Sequence, residues 1–97
     1  MRRLLVMASA MVAGCATAQS DPPVRGETPG HECQESGSNK FIGRPGTSEV
    51  GAEILRTTRA AVLRWAPPGA ALTMDYRSDR VTVRLGRDST IIGLSCG

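Results

Sequence analysis

Histidine occurs once in this sequence, at His31, and that scarcity removes two kinds of chemistry. A lone imidazole has no partners for a metal site or an acyl-transfer triad. Ser36, Ser38 and Ser48 have no base near them in the sequence, and Glu49 and Glu53 read as an exposed helix face rather than a catalytic pair. No enzyme, cofactor or metal is expected. Charge of one sign is lacking too. The formal +3 is 12 basic against 9 acidic residues, with the arginines interleaved among Asp and Glu. Nucleic-acid binders concentrate basic charge on one face, so a nucleic-acid partner is not expected. No apolar run, the one at the start included, is long enough to cross a bilayer as a settled helix, and no internal repeat is present. At 97 residues the chain is at most one domain, and the roughly fifteen Val, Ile, Leu and Phe that lie beyond its first fifteen residues make a thin core.

The start of the chain reads as an export signal. Arg2 and Arg3 precede the short apolar run Leu4 to Ala13, which ends in Val12-Ala13-Gly14-Cys15. Small residues before a cysteine resemble a bacterial lipobox, so residues 1–15 are expected as a signal peptide with lipobox, and cleavage before Cys15 leaves that cysteine as a lipidated N-terminus. The alternative is cleavage after Ala16-Thr17-Ala18, an A-x-A site. Ala16 after the cysteine, by resemblance to Gram-negative lipoproteins, directs the product to the periplasmic face of the outer membrane; the alternative cleavage gives a soluble periplasmic or secreted protein. The lipid anchor is the one membrane contact expected. Loss of Arg2 and Arg3 leaves ten basic against nine acidic residues, near +1. In an oxidising compartment Cys33 and Cys96 read as a disulfide. It closes a loop of about 64 residues and is worth roughly 4 kcal/mol in the chain-entropy model.

Residues 16–32, beginning "ATAQSDPPVRGETPGH", are rich in Gly and Pro and poor in large apolar residues, which predicts a flexible tether. The domain is expected over 33–97. Phe41-Ile42-Gly43 is a short apolar patch before the turn signal Pro45-Gly46. Thr47 and Ser48 are competent N-caps, Glu49 suits the first turn, and Val50, Ile54 and Leu55 share a helical face. Periodicity alone could carry the helix through Val62 to Trp65, but the β-branched pair Thr57-Thr58 has weak helix propensity, so the helix is expected to end near Thr58 with Ala61 to Trp65 as a strand. Val81, Val83 and Leu85 alternate with Thr82 and Arg84 as a half-buried strand. A turn at 86–89 leads to a partner strand from Thr90 to Leu94. A helix on a small sheet follows, in the α+β class.

Between Trp65 and Arg80 runs a long stretch without apolar periodicity of either kind. Loops of that length in compact domains are functional or disordered, and here the composition argues for order. Pro67 and Pro68 fix φ, and Leu72-Thr73-Met74 suits extended chain. Asp75 and Arg77 project to one side, and Arg80 enters the next strand from which it can reach beneath the loop. Arginine bonds to the Asp75 carboxylate and the Thr73 hydroxyl would stiffen the segment while Met74 faces solvent. Against this stand plainer readings. Met74 can fill a core gap. Arg77, Asp79 and Arg80 can be a solvated ion-pair run, each pair worth about 0–1 kcal/mol, and Asp79 in particular reads that way. Trp65 reads as core or a lid on it.

Pro67, Gly69 and the run Thr73-Met74-Asp75-Tyr76-Arg77, then Asp79-Arg80-Val81, resemble the reactive-site loop of the potato inhibitor I family of serine peptidase inhibitors. Cys33, the terminal Ser95-Cys96-Gly97 and the exported start resemble the related disulfide-bearing bacterial and fungal inhibitors of the fungal elastase inhibitor type. The resemblance covers roughly residues 33 to 97. It implies one helix on a small mixed sheet with a long exposed reactive-site loop and one disulfide. It implies that Met74-Asp75 is the reactive bond, flanked by Thr73, Asp75 and Tyr76, with Arg77 and Arg80 bracing from the domain. In plant and leech members a second bracing arginine stands two positions after the first; here Thr82 holds that place.

Two functions follow. One is a monomeric inhibitor of subtilisin-, chymotrypsin- or elastase-like serine peptidases. The other is a small envelope lipoprotein that keeps the fold as a binding or structural module without inhibitory activity.

Overall fold

A computed structural model describes residues 26–97. The signal, the lipobox with Cys15 and residues 16–25 of the expected tether lie outside the described residues. A 3-10 turn, Ser38–Phe41, precedes helix α1, Ser48–Thr58, and strands β1, Val62–Ala66, β2, Arg80–Leu85, and β3, Ile91–Cys96. The sheet order is β1-β2-β3. β1 and β2 are parallel and β2 and β3 antiparallel, so the small sheet is mixed and the α+β expectation is met.

Local chemistry sets the helix. Thr47 has extended backbone and its Oγ1 accepts from the Val50 amide at 3.3 Å, which satisfies one of the free amides of the first turn. Val50, Gly51, Ile54 and Thr58 form the buried face. At the far end the Thr58 hydroxyl donates to the Ile54 carbonyl at 2.8 Å and accepts from the Ala60 amide at 3.3 Å. A β-branched residue thus ends the helix by capping it, and Arg59 turns the chain away at φ 65°. Gly51 lets the helix approach β1, since a Cβ there would sit 3.0 Å from the Trp65 ring.

Phe41, Val50, Ile54, Ala60, Val81, Val83 and Ile91 form the core, and Trp65 is half-buried as a lid on it. The apolar patch at Phe41 therefore supplies the centre of the core from a short turn. β1 lies one residue later than the sequence pattern suggests, because the Ala61 amide turns to the Asp79 carbonyl at 2.8 Å while Ala66 pairs with Arg84. β3 begins later and runs further than expected. Thr90 bridges to Pro45, and Ser95 and Cys96 extend the ladder opposite Thr82 and Val81. Cys33 and Cys96 are joined as a disulfide, 63 positions apart.

The parallel pair explains why the chain holds a long loop. Parallel neighbours cannot be joined by a tight hairpin; the chain must return along the sheet over a dozen or more residues, usually through a helix. Here residues 67–79 make that return without one.

Candidate functional site

The loop is fastened at both ends and open in the middle. At its entrance the Ala70 amide donates to the Pro67 carbonyl at 3.0 Å, with Pro68 next and Gly69 at φ 77°. Proline followed by a positive-φ glycine is the chemistry of a type II turn. At its exit the Arg80 amide reaches the Arg77 carbonyl at 3.3 Å, and the Cys33 amide donates to the Ser78 carbonyl at 2.8 Å. The disulfide half-cystine thus also holds the loop's last turn.

Asp79 is the hub of that exit, and here the structure departs from the solvated reading. Its residue is 1% exposed. Arg77 donates to its carboxylate through Nε at 3.1 Å and Nη2 at 3.2 Å, and the Thr28 hydroxyl donates at 2.6 Å. The Asp79 amide and the Ser78 hydroxyl both donate to the Gly26 carbonyl, each at 3.1 Å. Within the stretch expected as tether, Gly26 and Thr28 therefore lie against the loop's exit, because a buried carboxylate requires donors and takes one from there. The Arg77 bonds first, then the Thr28 bond, hold the Asp79 carboxyl below its ordinary range, with burial opposing. Asp79 in turn raises the Arg77 guanidinium above its usual value, chiefly through the same bonds.

Between these fastenings the chain is free of main-chain partners. Among the described residues no main-chain to main-chain hydrogen bond involves 71–76. Met74 is 99% exposed and Tyr76 73%, with Thr73 and Asp75 also exposed. The core-filling reading of Met74 is excluded by that exposure. The Tyr76 ring lies over Gly97, where a Cβ would come within 3.0 Å of it.

Two arginines rise under the loop from adjacent strands. Arg80, 6% exposed, donates through Nη2 to the Asp75 carbonyl at 2.6 Å and stands 3.7 Å from the Asp75 carboxylate. Its Nε donates to the main-chain oxygen of Gly97 at 3.0 Å. Arg64, on β1, donates through Nη1 to the Thr73 hydroxyl at 3.0 Å and through Nε to the Thr82 hydroxyl at 3.2 Å. Thr82 passes the connection on, donating to the same Gly97 oxygen at 3.0 Å. The Asp75 carboxyl is held below its ordinary range, first by the Thr73 hydroxyl and its own amide, then by the charges of Arg80 and Arg64.

The structure brings together Thr73, Asp75, Arg80 and Thr82, and exposes Met74 and Tyr76 beside them. It does not bring Arg77 to Thr73 or Asp75; that guanidinium is committed to Asp79, two residues along. Arg64 is the residue that sequence reasoning missed. Its signal was present in a weak form, since an arginine in β1 stands opposite Thr82 once the strands are paired in parallel, and nothing in the pattern announces that pairing. Among the described residues no group of three His, Cys, Asp or Glu gathers to hold a metal ion.

Such a molecule is a small disulfide-pinned scaffold that displays one apolar side chain on a supported loop. The chain belongs to the peptidase inhibitor I78 family, whose model matches residues 33–97. It is thereby a member of a family of peptidase inhibitors rather than of enzymes, and its class of partner is a peptidase. Among solved structures it is similar to one described as the elastase inhibitor AFUEI, at 24% identity and a TM-score of 0.49, over 60% of this chain and 79% of that one. No curated protein matches the chain.

Proposed function

We propose that the protein inhibits serine peptidases of the subtilisin, chymotrypsin or elastase kind by offering Met74-Asp75 as a substrate-like bond. The observation that carries this reading is Met74, 99% exposed, between two residues gripped from below by Arg64 and Arg80. The lack of main-chain to main-chain hydrogen bonds over 71–76 supports it, because a peptide bound by a peptidase adds to the enzyme as a strand through such groups, and apart from the Asp75 carbonyl, which Arg80 holds, they are left for that pairing.

In the proposed reaction the enzyme's serine oxygen adds to the Met74 carbonyl carbon. The Met74–Asp75 bond breaks, the Asp75 nitrogen takes the proton, and Met74 is left as an ester on the serine. A free substrate then loses its leaving segment to solvent, and water cleaves the ester. Here the Asp75 carbonyl is held by Arg80, and the chain beyond is fastened at Ser78 and Asp79. The new amine stays beside the ester, attacks it and restores the bond, with the proton returned to the serine oxygen. Because the loop has already lost its freedom, docking forfeits little conformational entropy. Methionine, unbranched and apolar, suits an apolar pocket and not one with a buried carboxylate.

The reading extends to the rest of the chain. The protein is exported, with lipidation at Cys15 anchoring a monomeric inhibitor domain of residues 33–97 to the outer membrane. The Cys33–Cys96 disulfide supports an oxidising compartment.

Replacing Met74 by Lys tests the assignment. Inhibition of subtilisin- and chymotrypsin-like enzymes is expected to fall at least about a hundredfold, with inhibition of trypsin-like enzymes gained. Equal behaviour of the two proteins across a peptidase panel would remove Met74 from the contact and favour a binding module without inhibitory activity.

A further inference from the structure

We infer that Arg64 is a positioning residue for the loop, a strut from the sheet to Thr73 that acts separately from Arg80. The inference rests on the inhibitory reading above. Arg64 and Arg80 approach from neighbouring strands and hold opposite flanks of Met74, one at the Thr73 hydroxyl and one at the Asp75 carbonyl. Both connect to a common footing, the Gly97 main-chain oxygen, Arg80 directly and Arg64 through the buried Thr82 hydroxyl. That hydroxyl uses its donor on Gly97 and accepts from Arg64, so both of its capacities are engaged.

The geometry also gives Thr82 a purpose. A side chain of its length does not reach the loop, and the cation that does so comes from across the parallel register, where Arg64 pairs with Thr82. Arginine is required at 64 because two N–H groups in one planar fork must span two hydroxyls. A lysine is a single point of charge on a flexible stem and can serve only one of them at a time. Since Thr73 precedes the bond and Asp75 follows it, loss of Arg64 frees the acyl side and loss of Arg80 the amine side.

The test uses the mature protein with Arg64→Ala, Arg64→Lys and Thr82→Val, read three ways. Mass spectrometry follows hydrolysis between residues 74 and 75 by a subtilisin-like peptidase, backbone NMR order parameters follow residues 72–75 in the free inhibitor, and thermal melting follows the fold. Expected are an approximately ten- to hundredfold rise in hydrolysis and lower order parameters in all three variants, with little change in melting temperature. Unchanged hydrolysis and order in Arg64→Ala would overturn the strut while leaving inhibition by the wild type intact. Wild-type behaviour of Arg64→Lys would overturn the requirement for a fork. If the wild type inhibits no serine peptidase, the functional reading falls by itself, and the order-parameter comparison still decides whether Arg64 holds Thr73.

Discussion

Asp75 and Asp79 sit four residues apart and do different work, and acid separates that work from the rest of the molecule. Both carboxyls are held below their ordinary range, Asp75 first by the Thr73 hydroxyl and Asp79 first by Arg77. A carboxyl with a lowered folded-state value stabilises the fold fully above the ordinary carboxylate value of about 3.9, and that contribution is lost as pH falls through the lower folded value. Protection of the Asp79 and Arg80 amides at the loop's exit is therefore expected to be flat from about pH 7 to pH 5 and to fail only in acid below about pH 4. Hydrogen exchange followed against pH checks this; loosening between pH 5 and 7 would contradict it, since neither carboxylate titrates there. Gly69 makes a second residue-scale prediction. It holds φ 77° in open space, so Gly69→Ala adds no clash and costs about 1–2 kcal/mol from backbone strain alone, to be read in denaturant melts.

At the scale of elements, the helix and the core depend on identifiable parts. Thr47→Ala removes the acceptor for the Val50 amide and is expected to cost about 1 kcal/mol. Phe41, fully buried in the short turn before the helix, is expected to cost about 3–5 kcal/mol as Phe41→Ala, close to the whole stability of a small domain. Equilibrium urea unfolding measures both. The helix was legible because its signals are local, a capping threonine, an acid in the first turn and apolar residues at helical spacing. β2 was legible because strict alternation leaves one reading. The parallel pairing of β1 with β2 was not, because register between strands separated by a long loop is settled by tertiary packing, and no residue in either strand records it. Arg64 was missed for that reason alone. The burial of Asp79 was hidden likewise, since a run of Arg, Ser, Asp and Arg looks solvated until Gly26 and Thr28 arrive from fifty positions away. Met74 and Asp75 were legible through the resemblance of their neighbours, with the exposure of Met74 supplied by the fold.

For the molecule as a whole, the disulfide is the joint between fold and loop. Cys33 donates to the Ser78 carbonyl at the loop's exit, and Cys96 directly precedes Gly97, whose oxygen receives Arg80 and Thr82. Replacing both cysteines by serine is expected to cost about 4 kcal/mol and to lower the melting temperature by roughly 15–30 °C. A calorimetric scan checks the stability. The same variant should lose inhibition while still folded at low temperature, because the footing under both arginines is released along with the crosslink. A variant that melts early yet inhibits normally in the cold would show that the disulfide serves the fold and not the loop.

The most direct measurement is a stoichiometric titration of a subtilisin-like peptidase with the mature protein, with mass spectrometry of the mixture over time. The account predicts that activity falls to zero near one inhibitor per enzyme and that the chain persists, uncut or cut solely between residues 74 and 75. Undiminished activity, or rapid and complete breakdown of the loop at other bonds, would contradict it.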